Sequence, residues 1–163
     1  FQVNLPVFER ALEVMKKNIE PDMEILDLYG GVGSIGISLA GESSRLTCVE
    51  IDPIASGFAQ ENMMSNTLSN AKSICFPSEH LLDTITPEQT VIVDPPRAGL
   101  DAKLLARLLE VAPKKIMYLS CNIATQARDV FSLQTKYSIV NATLMNFFPK
   151  TPHIEHLLIL ERK

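Results

Sequence analysis

Cysteine is scarce in this chain of 163 residues, and its three cysteines form no recognisable pattern. Cys48, Cys75 and Cys121 are an odd number at wide spacings, and no two are spaced as in a zinc site or a redox CxxC motif. This argues against a cysteine-based metal or redox centre, and a reduced, cytoplasmic protein is the simplest interpretation. Cys48 and Cys75 each fall inside a predicted strand, so we expect both to be inert, buried side chains.

Long apolar runs and a strong basic charge are also missing. No apolar run reaches the length that spans a membrane, and the first residues lack the pattern of a signal peptide. The formal net charge is −4, so no global basic field draws the chain to nucleic acid or to a membrane surface. The length predicts one domain, and 46% hydrophobic residues are enough for a sizeable core.

Glycine is concentrated in one stretch of the chain. An apolar run over residues 23–28 contains Asp27, and four glycines follow within seven residues. A helical pattern comes next, and strand, glycine turn and helix together are typical of nucleotide-binding sites, because glycine lets the backbone approach a ligand closely. The pattern Gly31-x-Gly33-x-x-Gly36 fits dinucleotide cofactors and S-adenosylmethionine about equally well. A tight turn without any ligand is the alternative.

Strands and helices alternate along the chain. Amphipathic or capped patterns predict helices, and short apolar runs predict strands. The predicted helices cover residues 5–19, 34–40, 53–65, 102–111 and 123–133, and the predicted strands cover 23–28, 45–51, 73–76, 90–93, 115–119, 137–145 and 154–160. Asn4, Asp52 and Asp101 are the predicted N-caps. This alternation predicts an α/β fold with a mostly parallel sheet, and the short link between the last two strands predicts an antiparallel pair.

Polar residues follow the predicted strands at the end where α/β folds bind their ligands. Asp27, Glu50, Glu79, Asp94 and Cys121 lie in or just after the last residues of five successive strands. Glu50 lies 19 residues after the second glycine, an offset at which a carboxylate hydrogen-bonds a ribose diol, although a solvated strand-end acid is the alternative. Asp27 would repel a pyrophosphate but can meet a cationic amino-acid tail, which favours S-adenosylmethionine over a dinucleotide.

Cys121 differs from the other two cysteines in its position. It ends a predicted strand on the ligand-binding edge, and a predicted helix begins just behind it. The N-terminus of a helix lowers the pKa of a nearby thiol and favours the thiolate. From spacing alone, a nucleophile and a packing residue fit this position equally well.

Six motifs occur in an order that resembles a known enzyme family. They are Phe1-Gln-Val-Asn4, Asp27-Leu-Tyr-Gly-Gly-Val-Gly33, Val49-Glu50, Asp94-Pro-Pro-Arg97-x-Gly99, Leu119-Ser-Cys-Asn122 and Phe148-Pro-x-Thr-x-His-x-Glu155. The sequence resembles the catalytic domain of the RNA uracil-5-methyltransferases, which form 5-methyluridine in tRNA and large-subunit rRNA. The resemblance covers essentially the whole chain. It implies a class I S-adenosylmethionine-dependent methyltransferase fold, Rossmann-like, with seven strands and an antiparallel last hairpin.

The resemblance also implies roles for individual residues. S-adenosylmethionine would be the cofactor, and no metal is expected. The residues expected to contact the cofactor are Gln2, Asp27, Tyr29, Gly31, Gly33, Ser34, Glu50, Glu79 and Asp94. Cys121 would add to C6 of uracil as the nucleophile, and Glu155 would remove the proton from C5. Arg97 and Asn122 are candidate substrate-binding residues. Without the resemblance, Glu155 would be interpreted as an exposed strand carboxylate, and a salt bridge would suit Arg97 equally well.

The sequence departs from the family pattern in several places. Many relatives have Cys where this chain has Gly30 and Asn where it has Ser34, and we expect both differences to be tolerated because they lie in the cofactor loop. Relatives also carry an N-terminal oligonucleotide-binding-type barrel, which this sequence lacks. We therefore expect residues 1–163 to be a single catalytic domain, monomeric, that binds the cofactor but methylates RNA poorly, because most RNA affinity would reside in the missing part.

Other functions stay open on the sequence. A different S-adenosylmethionine enzyme is disfavoured because adenine amino-methyltransferases carry an aromatic residue where this chain has Arg97, and cytosine-5 enzymes carry proline where it has Ser120. A non-catalytic cofactor- or RNA-binding module is disfavoured by the intact nucleophile and base. Within the family, the motifs slightly favour the 23S rRNA enzymes over the tRNA enzyme. We expect His153 and His156 to be surface or supporting residues, since no third ligand is spaced to complete a metal site.

Overall fold

A computed structural model describes residues 4–20, 22–41 and 44–163, and these form a sheet of seven strands. The strands are β1 (Glu24–Leu28), β2 (Arg45–Glu50), β3 (Ala71–Cys75), β4 (Thr90–Val93), β5 (Lys115–Ser120), β6 (Tyr137–Met145) and β7 (Glu155–Arg162). Their order across the sheet is β3-β2-β1-β4-β5-β7-β6. The first five strands are parallel, and β7 is antiparallel to both β5 and β6. The predicted sheet architecture is therefore confirmed.

Five α-helices in the described part of the chain connect the strands. They are α1 (Leu5–Lys16), α2 (Ser34–Leu39), α3 (Pro53–Ser65), α4 (Ala102–Val111) and α5 (Ile123–Leu133). Two single-turn 3₁₀ helices, Ser78–His80 and Leu82–Thr84, lie between β3 and β4 and were not predicted. They are too short to leave a period in the sequence.

The ends of the helices test the predicted caps. Asp52 accepts hydrogen bonds from the backbone N–H groups of Ile54 and Ala55, and Asp101 caps α4 in the same way. The prediction for Asn4 is wrong, because its side chain makes no capping hydrogen bond. The helix α1 also ends three residues earlier than expected. Asn18 Nδ2 donates to the carbonyl of Val14 at 2.8 Å. This side-chain hydrogen bond satisfies a carbonyl at the end of the helix.

Helices pack on both faces of the sheet and bury two apolar cores. Phe8 and Met15 of α1 pack on one face together with side chains of α2 and α3, and Leu104 and Leu108 of α4 pack on the other with side chains of α5. The strands supply alternate residues to the two cores because successive side chains point to opposite faces. No helix within the described ranges has the length and apolar composition to cross a membrane.

The position of a strand in the sheet decides the burial of its cysteine. Cys48 lies in β2, between two neighbouring strands, and is buried as expected. Cys75 lies in the edge strand β3 and is exposed, so the prediction that it is a buried side chain is wrong. This strand also spans residues 71–75 rather than the expected 73–76, because Ala71 already pairs with Leu46 of β2.

Candidate active site

Five of the predicted cofactor residues line one cavity of about 250 Å³ at the carboxyl ends of β1 and β4. They are Asp27, Tyr29, Gly31, Ser34 and Asp94. Phe8 of α1 also lines this cavity. A cavity at this end of a parallel sheet is the usual ligand site of α/β folds.

The glycine turn is held in place by Glu50. Gly31 and Gly33 have φ angles of 56° and 81°, a region that glycine adopts without strain. Glu50 Oε2 accepts a hydrogen bond from the Gly31 N–H at 2.9 Å, and its Oε1 accepts one from the Asp52 N–H at 2.9 Å. One carboxylate therefore ties the glycine turn to the start of α3. Each of its oxygens retains a second lone pair for a ligand.

Gly30 has no space for a side chain in this protein. A Cβ at this position would lie 2.2 Å from Cys48 Sγ, far inside van der Waals contact. Glycine therefore fits position 30 of this chain, which is consistent with the expectation that the difference from relatives with Cys is tolerated. The close contact would form between the loop after β1 and Cys48 of β2, and it could not be recognised from the loop sequence alone.

Asp27 is a buried carboxylate at the base of the cavity. It is 1% exposed, and its Oδ2 accepts a hydrogen bond from the Gly36 N–H at 2.9 Å. Burial raises the pKa of Asp27 to about 7, although the Gly36 N–H opposes this shift. A buried carboxylate that faces a cavity suits a cationic ligand group, because a positive charge would favour the ionised form.

Asp94 and Glu155 add two further acidic groups to this region. Burial, and secondarily the nearby carboxylates of Glu155 and Asp27, raise the pKa of Asp94 to about 7. Glu155 is only 8% exposed, and burial raises its pKa as well. The interpretation of Glu155 as an exposed strand carboxylate is therefore wrong. A buried carboxylate with a raised pKa is a suitable proton acceptor near neutral pH.

The strand register brings Cys121 and Glu155 together. The antiparallel pairing of β5 with β7 ends at Ser120 opposite His156, and at that end Cys121 follows Ser120 while Glu155 precedes His156. Cys121 is partly buried and directly precedes Asn122, the N-cap of α5. Two residues separated by 34 positions in sequence thus occupy neighbouring places at one end of the sheet.

Asn122 and Arg97 are joined through the backbone. Asn122 Oδ1 caps α5 by accepting from the N–H groups of Ala124 and Thr125, and its Nδ2 donates to the Arg97 carbonyl at 3.0 Å. The exposed guanidinium of Arg97 lies 3.4 Å from His153 Nδ1 and forms no ion pair with any described residue. The side chain of Asn122 therefore orients the loop that carries Arg97, while the guanidinium faces the surface.

Glu79 is a predicted cofactor residue that does not line this first cavity. Glu79 lines a neighbouring, more open cavity of about 510 Å³, which shares Tyr29 with the first. Ser78 accepts a hydrogen bond from the Tyr29 N–H at 3.1 Å, and burial and the charge of Glu79 raise the pKa of Tyr29 to about 12. Gln2 lies outside the described residues.

Asp129 was missed in the sequence. Its side chain is fully buried, and Oδ2 accepts hydrogen bonds from the Leu100 N–H at 2.9 Å and the Tyr118 hydroxyl at 2.8 Å. Arg128 pairs with Oδ1 and donates to the Ala98 carbonyl. These contacts hold the loop after β4 against α5. An acidic residue on the apolar face of an amphipathic helix was the available signal.

The chain is similar in sequence to proteins described as RNA methyltransferases. The chain is 37% identical to an uncharacterized RNA methyltransferase of Prochlorococcus marinus and 38% identical to one of Chlamydia muridarum, in each case over 99% of its own length. It spans 40% and 42% of the length of these relatives. No group of three or more metal-ligating side chains occurs in the part of the chain that the structure describes.

A solved structure supports both the fold and the family. The tRNA (uracil-54, C5)-methyltransferase of Pyrococcus abyssi, solved in complex with S-adenosyl-L-homocysteine, superimposes with a TM-score of 0.85 and 34% identity over 98% of this chain and 39% of its own. This confirms the predicted class I methyltransferase fold. The model of the family described as tRNA (uracil-5-)-methyltransferase matches residues 1–163. The chain therefore belongs to the tRNA (uracil-5-)-methyltransferase family.

Proposed function

We propose that this chain is the catalytic domain of an enzyme that methylates C5 of uracil in RNA with S-adenosylmethionine. The observation that carries the proposal is the placement of Cys121 and Glu155 at adjacent strand ends, next to a cavity lined by the buried carboxylate of Asp27 and the half-buried carboxylate of Asp94. The Pyrococcus abyssi relative acts on tRNA, whereas the motifs of this chain favour 23S rRNA, so both RNAs belong in the test.

The cavity suits the proposed cofactor. Asp27 and Asp94 would face its cationic end, Glu50 would accept hydrogen bonds from its ribose, and Gly31 and Ser34 would border it. When bound, S-adenosylmethionine supplies an electrophilic methyl group. Buried carboxylates bind a cation more strongly than exposed ones, because water screens them less.

The chain's own residues would perform the remaining steps. The Cys121 thiolate adds to C6 of uracil, which forms the S–C6 bond and makes C5 nucleophilic. After C5 has taken the methyl group, the Glu155 carboxylate accepts the C5 proton. The electron pair of the C5–H bond forms the C5–C6 double bond, and the S–C6 bond breaks to return the thiolate. Arg97, exposed beside His153, would contact the RNA.

Trapping with RNA that contains 5-fluorouridine tests this mechanism. Fluorine at C5 cannot leave as a proton, so the adduct with Cys121 should persist in the full-length protein. Cys121→Ala should form no adduct, whereas Cys75→Ala, which changes an exposed thiol on the edge strand β3, should form it normally. Absence of an adduct with the unaltered protein on both RNAs would indicate a cofactor- or RNA-binding module instead.

We further propose that most of the RNA affinity resides outside residues 1–163. The net charge of −4 and the acidic cavity provide little attraction for a phosphate backbone. Filter binding of the same RNA to residues 1–163 and to the full-length protein compares the two affinities. Equal affinities, or equal methylation rates, would contradict this part of the proposal.

A further inference from the structure

Gln126 connects the two strands that carry the proposed nucleophile and base. Its side chain lies in α5 and is 1% exposed. Nε2 donates to the carbonyl of Tyr118 in β5 at 2.9 Å and to the carbonyl of His156 in β7 at 3.1 Å. One buried amide thus spans both strands, close to the ends where Cys121 and Glu155 lie.

His156 fixes the orientation of this amide. Its Nδ1 lies 2.7 Å from Gln126 Oε1, and burial lowers the pKa of the imidazole. Because both hydrogens of Nε2 are directed at carbonyls, Oε1 acts as the acceptor, and His156 Nδ1 is the donor. Gln126 therefore holds the residue next to Glu155 through both its backbone and its side chain.

Cys121 has a separate set of supports. β5 is buried along its whole length, between β4 and β7. Beyond its end, Ser120 Oγ accepts a hydrogen bond from the Asn122 N–H, and Asn122 caps α5. Glu155, by contrast, is the first residue of β7, and its ladder partner Met145 belongs to the edge strand β6. Loss of the Gln126 amide should therefore displace Glu155 more than Cys121.

We propose that Gln126 is a positioning residue that acts through His156 to hold Glu155 for removal of the C5 proton. This inference rests on the proposed uracil-5 methylation. Addition of Cys121 and methylation of C5 precede this proton transfer. A misplaced Glu155 should therefore slow only the last step, and the covalent adduct with ordinary uridine should accumulate.

Gln126→Leu in the full-length protein tests the inference, with Gln134→Leu as the matched control at the exposed end of the same helix. For Gln126→Leu we expect turnover on uridine RNA to fall about 100-fold, as small displacements of reacting groups can cost this much. The KM for RNA should fall along with turnover because the adduct accumulates before the slowed step, the Kd for S-adenosylhomocysteine should stay within about 2-fold, and 5-fluorouridine adducts should form at nearly the rate of the unaltered protein. Gln134→Leu should match the unaltered protein in all four measurements.

Two results would overturn the inference while leaving the proposed function intact. One is unchanged turnover in Gln126→Leu, and the other is an equal slowing of fluorouridine adduct formation and turnover, which would indicate general structural damage. If Gln126→Leu folds poorly, His156→Phe tests the same link because it removes only the bond to Oε1, and it too should accumulate the uridine adduct. If the unaltered protein forms no fluorouridine adduct, the proposed function fails and the inference fails with it.

Discussion

The Asp27 carboxylate and the Gly36 N–H are joined by a hydrogen bond of 2.9 Å that links the end of β1 to α2. The contact leaves no room for a side chain at position 36, since a Cβ there would lie 2.7 Å from Asp27 Oδ2. It also fixes a carboxylate in a place where burial holds its pKa near 7. Asp94 has a pKa near the same value, so the charge of the cavity changes close to neutral pH.

Binding of the cationic cofactor should strengthen as pH rises through 7. The carboxylates of Asp27 and Asp94 are largely protonated at pH 5.5 and largely ionised at pH 8, given their pKa values of about 7. A sulfonium and an ammonium group bind better to the ionised pair. Calorimetry between pH 5.5 and 7.5 should show a falling Kd for S-adenosylmethionine, with a shallower slope for Asp94→Asn. A Kd independent of pH would contradict the assignment of this cavity.

The raised pKa of Asp94 also predicts how this residue affects the free energy of unfolding in the absence of ligand. Its folded-state pKa of about 7 lies above the ordinary value of 3.8, so the folded state binds the proton more tightly. The stabilisation from this proton is complete below pH 3.8 and is lost as pH rises through 7. Relative to the unaltered protein, Asp94→Asn should therefore gain stability between pH 4.5 and 8. Urea unfolding at several pH values measures the difference, and a constant difference would refute the prediction.

Gly30 and Cys48 should show strong energetic coupling. Gly30→Ala places a Cβ against Cys48 Sγ, and overpacking of this kind costs about 1–3 kcal/mol in the free energy of unfolding. Cys48→Ala removes the sulfur, so in that background the same glycine substitution should cost much less. A double-mutant cycle from urea unfolding gives the coupling energy. Additive effects of the two substitutions would show that the loop moves away instead.

Asp129 should contribute strongly to stability although it lies outside the cavity of Asp27 and Asp94. Asp129→Ala leaves the Leu100 N–H and the Tyr118 hydroxyl without their partner and breaks a pair with Arg128, which should lower the free energy of unfolding by about 3 kcal/mol. Asp83→Ala, which changes an exposed acid 4.0 Å from Arg107, is the matched control and should cost less than about 0.5 kcal/mol. Similar losses in the two variants would disprove the role of Asp129.

The sequence predicted those features that depend on neighbouring residues. The caps at Asp52 and Asp101 depend on short-range hydrogen bonds, and the parallel order depends on strands that alternate with helices. The residues gathered at the cavity could be found because each follows a strand, and the carboxyl ends of parallel strands meet at one edge. Asp27 and Asp94 were identified in this way.

The features that were missed depend on residues distant in sequence. The exposure of Cys75 follows from the edge position of β3, which no local pattern encodes. The conflict at Gly30 arises from a side chain in the adjacent strand. Gln126 and Asp129 bond groups in other elements, and the one signal they gave was a polar residue on an apolar helix face. Glu155 was identified from the family motif, whereas its burial required the folded sheet.

Hydrogen bonds from the helix α5 restrict how the parts of the site can move relative to one another. Side chains of this helix and its N-cap bind backbone groups in three separate segments, namely the carbonyls of Arg97, Ala98, Tyr118 and His156 and the N–H of Leu100. The proposed nucleophile, the proposed base and the loop after β4 should therefore move as one rigid body. The glycine turn is fastened to β1 and β2 by Asp27 and Glu50 instead. In the proposed reaction, the distance between the methyl carbon of the cofactor and C5 of uracil would then depend mainly on the separation between α5 and the glycine turn.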